Sequence, residues 1–141
     1  MEKLIVQAER MGNTVLECSF RHFGSVAIRE GNVCTIGIDR SQVPTEAAGR
    51  VMLAHELGHC ETGAFYTRSA TPEARGRREE RADRWAIRYL MPYPAICEAI
   101  TGGARTVDAL AEQFGVTEAF AAKAVSYYCD AKGLPLPGES E

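Results

Sequence analysis

The spacing of apolar positions changes along this chain, and each change predicts an element. Leu4, Ile5, Ala8 and Met11 recur at three- and four-residue steps, which predicts a short amphipathic helix over 2–11 that ends at Gly12-Asn13. Val15-Leu16, Cys18-Ser19-Phe20, residues 25–28 and Val33–Ile38 read instead as short strands, with Glu30-Gly31-Asn32 as a hairpin turn. A small antiparallel sheet of two or three strands is expected. After Pro44 the helical period returns: Thr45 is placed to cap, Glu46 supplies an acidic first turn, and Ala48, Val51, Met52, His55 and His59 follow at helical steps.

A loop over 63–72 leads to a second helix, 73–91, with Ala82, Trp85, Ala86, Tyr89 and Leu90 on its apolar side and Pro92 and Pro94 to stop it. The last third predicts a short helix over 94–100, a break at Gly102-Gly103, a helix over 107–114 behind Thr106, and a final helix over 118–132 behind Thr117. The expected fold is α+β: a single domain over 1–133, its sheet on a central helix with further helices beyond, and a frayed tail over 134–141.

Composition narrows the function classes. A chain of 141 residues, 45% hydrophobic and 25% charged, can bury a core without metal or disulfide staples. No apolar run reaches the roughly 18–20 residues of a bilayer span. The opening Met-Glu-Lys-Leu-Ile lacks the order of a signal peptide, which makes the cytoplasm the default compartment. A net charge of −3 leaves no overall electrostatic footprint for nucleic acid. Five cysteines, an odd number without a CxxC pair, argue against a disulfide framework and a thiolate zinc cage, so they read as small core hydrophobes, Cys60 included.

The chemistry lies on the central helix, in His55-Glu56-Leu57-Gly58-His59. Histidines four apart project from one helical face, so both imidazoles reach one tetrahedral zinc at about 2.0–2.1 Å. Glu56 sits about 100° around the helix, aimed to take a proton from the attacking water and pass it to the leaving amine. His22, the third histidine, reads as structural.

A catalytic zinc needs a third protein ligand and an open position, and the candidates are Glu61, Glu73, Glu79, Glu80 and Asp83. Glu79 shares a face with Ala82, Asp83, Ala86 and Leu90, whose small members let two helices approach, and it is the selected ligand. Asp83, one turn on, is placed to accept the other N–H of a liganding histidine; its bland alternative is a solvated partner for Arg84 or Arg78. Tyr66, Arg68, Tyr93 and His22 are all open as oxyanion donors.

Together, His55, Glu56, His59 and a glutamate about twenty residues on resemble the gluzincin plan. More narrowly, Glu79-Glu80-Arg81-Ala82-Asp83-Arg84-Trp85-Ala86 followed by Leu90-Met91-Pro92 resembles the signature of the ImmA/IrrE metallo-endopeptidases. Trp85 stands where phenylalanine is usual in that family and Arg81 where an acidic residue is common. The resemblance implies a zincin-like fold, a Zn2+ cofactor, and cleavage of a helix-turn-helix repressor of a prophage or mobile element; the sequence itself leaves Mn2+ and Fe2+ open as alternative metals.

Two rival functions are a catalytically silent metal sensor or interaction module, and a transcriptional regulator. The pair of helices over 107–132 has helix-turn-helix spacing, but it carries Asp108, Glu112, Glu118 and Asp130 against Lys123 and Lys132, the wrong sign for phosphate. No direct nucleic-acid or membrane partner is expected. The arginines between 75 and 88 read as a solvated face laced with ion pairs. Val33–Ile38 is the candidate edge strand for holding an extended substrate.

Overall fold

A computed structural model of the chain describes residues 1–67 and 69–138. Among them are six helices, α1 (Glu2–Arg10), α2 (Glu46–Thr62), α3 (Pro72–Leu90), α4 (Tyr93–Thr101), α5 (Val107–Phe114) and α6 (Glu118–Ser126), and three strands, β1 (Thr14–Glu17), β2 (Ser25–Glu30) and β3 (Val33–Ile38). The fold is α+β. Contacts divide it into two compact units, Met1–Ala86 and Ile87–Glu141, with α3 beginning in the first and ending in the second.

Helix starts follow their capping residues. The hydroxyls of Thr45, Thr106 and Thr117 accept from the backbone N–H groups of Ala48, Ala109 and Phe120, and Thr71 does the same for Ala74 at the start of α3. Gly63, at φ +69°, ends α2 in the left-handed region that a residue with a Cβ rarely adopts.

The sheet of the first unit is mixed rather than antiparallel. Its order is β1-β3-β2, with β2 and β3 forming the expected antiparallel hairpin and β1 running parallel to β3. Hairpin logic applies only where a tight turn joins two strands, and residues 18–32 between β1 and β3 provide the long crossover that parallel pairing needs. Consequently Cys18-Ser19-Phe20 is connection, not strand. It also means that β3 is the central strand, its backbone paired on both sides, and has no free edge to offer a substrate. The edge strands are β1 and β2.

On β3 the inward residues Cys34, Ile36 and Ile38 are buried, and with Leu4, Leu53 and Leu57 they form the core of the first unit. At about 1.5–3 kcal/mol for each large side chain, this burial is what fixes the helix α2 and the sheet in one body. In the second unit Met91, Ile96, Leu110, Phe120 and Tyr128 are buried. There α6 widens after Ser126 into a π-helical turn, Tyr127–Ala131, in which two consecutive tyrosines are both buried. Beyond it, where fraying is expected, Leu136 is buried and the carbonyl of Pro135 accepts from the Tyr93 hydroxyl. No helix among the described residues is long and apolar enough to cross a membrane.

Candidate metal centre

Three side chains from two helices converge in the first unit. His55 and His59, one turn apart on α2, bring their Nε2 atoms to 3.2 Å. From α3, Glu79 places Oε2 2.6 Å from His55 Nε2 and Oε1 3.2 Å from His59 Nε2. Two ligands of one tetrahedral zinc at about 2.0–2.1 Å stand roughly 3.3–3.4 Å apart, close to the nitrogen separation found here.

His59 Nδ1 lies 2.6 Å from the carbonyl of Ala64, and a carbonyl only accepts, so Nδ1 carries the proton and Nε2 a lone pair. His55 Nδ1 faces Asp83 Oδ1 at 2.7 Å, which assigns its proton in the same way. Two lone pairs and a carboxylate therefore point at one another, an acceptor-only arrangement that a cation satisfies. The cluster could hold a metal ion. In the metal-free chain a proton takes that place: burial alone would lower the pKa of His55, but the hydrogen bond to Asp83 and the carboxylates of Asp83, Glu56 and Glu79 outweigh it and push it up to about 9.

Glycine 58 makes the convergence possible. A Cβ there would stand 2.5 Å from the backbone oxygen of Ala82, so only hydrogen fits where α2 crosses α3. Glu79 and Asp83 are the residues one turn before Ala82 and next to it, and this close crossing carries both to His55. The unselected carboxylates are engaged elsewhere or lie on the surface: Glu80 pairs with Arg84, Glu61 accepts from Asn13, and Glu73 is exposed.

A cavity of about 460 Å³ opens over the cluster, lined by His55, Glu56, His59 and Glu79 with Ser25 and Phe65 among its walls. Glu56 is buried, and its Oε2 accepts a 2.7 Å hydrogen bond from the Ser25 hydroxyl. Tyr66 also lines the cavity, donating to Glu79 Oε1 at 3.2 Å; burial and the negative charge of Glu79 raise its pKa, which keeps the hydroxyl protonated. Of the other oxyanion candidates, His22 is exposed before β2, Tyr93 lies in the second unit, and Arg68 falls outside the described residues.

The model of peptidase family M78, described as the IrrE N-terminal-like domain, matches residues 8–126. The chain belongs to that family. No curated protein and no solved structure matches it significantly.

The family match spans the HELGH helix and the acidic face of α3, but other features of this M78 chain were not visible in its sequence. Cys60 is not a core thiol. It is disulfide-bonded to Cys34, with Cα atoms 5.8 Å apart, while Cys18, Cys97 and Cys129 are not disulfide-bonded. An odd count excludes a fully paired set of cysteines, not a single pair, and the direction in which Cys60 points away from the ligands is toward the inner face of β3. The closed loop spans a sequence separation of 26 and is worth about 3.5 kcal/mol in the chain-entropy account. It fixes the last turn of α2, directly beside His59, to the central strand.

Ser25 carried no sequence signal, since an isolated serine at a strand start is ordinary. Gly58 did carry one: a glycine inside a helix costs about 1 kcal/mol relative to alanine and marks a close approach. The arginines of α3 are only partly a laced surface. Arg84 pairs with Glu80, but Arg78 donates to the carbonyl of Phe65 and Arg75 lies 5.2 Å over the Tyr66 ring, so these two hold the cavity wall in place.

Proposed function

We propose that this M78 chain is a zinc-dependent endopeptidase with a zincin-like active site, in which His55, His59 and Glu79 hold the metal and Glu56 is the general base. The observation that carries the reading is the acceptor-only cluster with a buried glutamate on the same cavity wall. When bound, the ion supplies Lewis acidity toward water and the scissile carbonyl. Glu56 takes the proton of the attacking water and delivers it to the leaving amine. Asp83, on His55 Nδ1, and the Ala64 carbonyl, on His59 Nδ1, fix the tautomers that leave both Nε2 atoms free to ligate. The Tyr66 hydroxyl, facing the same cavity, is the donor to the developing oxyanion.

The edge role expected of β3 passes to β2, whose residues Ser25, Val26 and Ala27 line the cavity and whose outer side pairs with no other strand among the described residues. A substrate segment in extended form adds there by backbone hydrogen bonds. Residues 1–133 are read as one peptidase domain, a reading supported by the family match over 8–126. Its substrate, by the resemblance of the motifs, is a helix-turn-helix repressor of a mobile element.

Metal analysis and cleavage assays on four chains test this. The wild-type chain is expected to bind one zinc and cleave the repressor, Glu79→Ala to lose zinc, and Glu56→Gln to keep zinc while cleavage falls by about 10²–10⁴-fold. Undiminished output from Glu56→Gln would overturn catalysis in favour of a metal-binding sensor. Zinc retained by Glu79→Ala, with His55→Ala as the control that loses it, would overturn the ligand set.

A further inference from the structure

Glu56 is held by a residue outside the metal motif, and the contact connects it to the strand proposed to receive substrate. Ser25 is the first residue of β2, paired with Ile38 of β3, and the strand is anchored just before it by the hydrogen bond from Asp39 N to Gly24 O at 2.8 Å. The strand start lies tight against α2: a Cβ on Gly24 would stand 2.6 Å from the Met52 side chain, four residues before Glu56 on the same helix. This proximity is what lets a side chain as short as serine reach the Glu56 carboxylate.

An ionised carboxylate only accepts, so the Ser25 hydroxyl is the donor in the 2.7 Å contact. With Oε2 engaged, the carboxylate loses free rotation, and Oε1 is the oxygen left for a water in the cavity. A buried glutamate without this partner keeps several rotamers, only some of which face a reacting water.

We infer that Ser25 is a positioning residue for Glu56: its hydroxyl fixes which carboxylate oxygen faces the cavity, and so couples the seating of an extended peptide on β2 to the orientation of the base. This rests on Glu56 being the general base, and the consequence is a defect in turnover rather than in binding. Backbone pairing of the substrate uses the main chain of β2, which a change of side chain leaves intact.

The test compares Ser25→Ala, which removes the hydroxyl, with Ser25→Thr, which restores it. Carbon-13 NMR of the full metal-free chain with labelled glutamate carboxyls identifies Glu56 as the resonance lost in Glu56→Gln. That resonance is expected to shift and broaden in Ser25→Ala and to stay near its wild-type position in Ser25→Thr. In the zinc-loaded chain, kcat is expected to fall by about ten- to a hundredfold in Ser25→Ala with KM unchanged, and to recover in Ser25→Thr.

An unmoved Glu56 resonance in Ser25→Ala, or a threonine variant as perturbed as the alanine one, would overturn the inference. If the wild-type chain cleaves nothing, the peptidase reading fails by itself, and the carboxyl resonance still decides whether Ser25 holds Glu56.

Discussion

The two units of this chain spend their interiors differently. In the first, Asp39, Glu56 and His59 are buried alongside the aliphatic core, while in the second the described buried side chains are apolar or tyrosine. Where tyrosines are buried, their hydroxyls are occupied: Tyr128 donates to the Met91 carbonyl at 2.8 Å and Tyr127 accepts from Arg88 at 2.9 Å. Burying a charge or an imidazole costs free energy that only specific partners offset. The first unit meets that cost with a disulfide, an interhelical close approach and a network of hydrogen bonds, and what it gains is a reactive cluster. The second unit has no such cluster among its described residues and is held by ordinary packing.

The sharpest way to break the contrast is to damage the second unit by packing alone. Phe120 is buried on α6, and Phe120→Ala is expected to cost about 3–5 kcal/mol of stability through the cavity it leaves. Zinc bound per folded chain, measured by competition with a chromophoric chelator below the new melting temperature, should be unchanged. A folded Phe120→Ala chain with weakened zinc binding would show that the two units do not divide stability from chemistry in this way.

The same contrast explains what was legible in the sequence. Helices α2, α3 and α5 were readable because local signals fix them: capping threonines, helical periodicity, and proline or glycine ends. Glu79 was readable as His55's neighbour because its helical face is rich in small residues, and the structure brings it to both histidines. The parallel pairing of β1 was not readable, since strand order depends on contacts between residues far apart in sequence. For the same reason the central place of β3 and the Cys34–Cys60 bond leave no local signal in the sequence. Ser25 reaches Glu56 across 31 positions, a distance at which no periodicity speaks.

A smaller effect, reversed in kind, is expected in the first unit. Asp83→Asn keeps the shape of the side chain but removes the charge that orients His55, so zinc affinity should weaken by about 10–100-fold while the apolar core stays packed. This is the mirror image of Phe120→Ala, with chemistry lost and packing kept. Competition titrations on the two variants side by side give the comparison, and wild-type affinity in Asp83→Asn would return Asp83 to the role of a surface partner for arginine.

The smallest effect concerns Asp39, the buried charge of the first unit that belongs to no reactive cluster. Its carboxylate accepts from the Ser41 hydroxyl at 2.6 Å, from the backbone N–H of Phe20 at 2.9 Å and from the Gln42 amide at 2.9 Å. The Ser41 hydroxyl contributes most, then the Phe20 N–H and Gln42, and together they hold the carboxyl well below the usual range. A depressed pKa in the folded state means stability that is fully present above the unfolded value of about 3.9 and is lost as pH falls below it. Gln42 also donates to the carbonyls of Phe20 and Phe23, so protonation of Asp39 is expected to loosen residues 18–24, including the Phe23 that lines the cavity. In urea melts between pH 7 and pH 2, Asp39→Asn should be less stable than wild type at neutral pH, with the gap closing below about pH 4. A gap that stays constant down to pH 2 would mean that packing around Asp39, rather than its charge, holds this loop against the strand that carries Ser25.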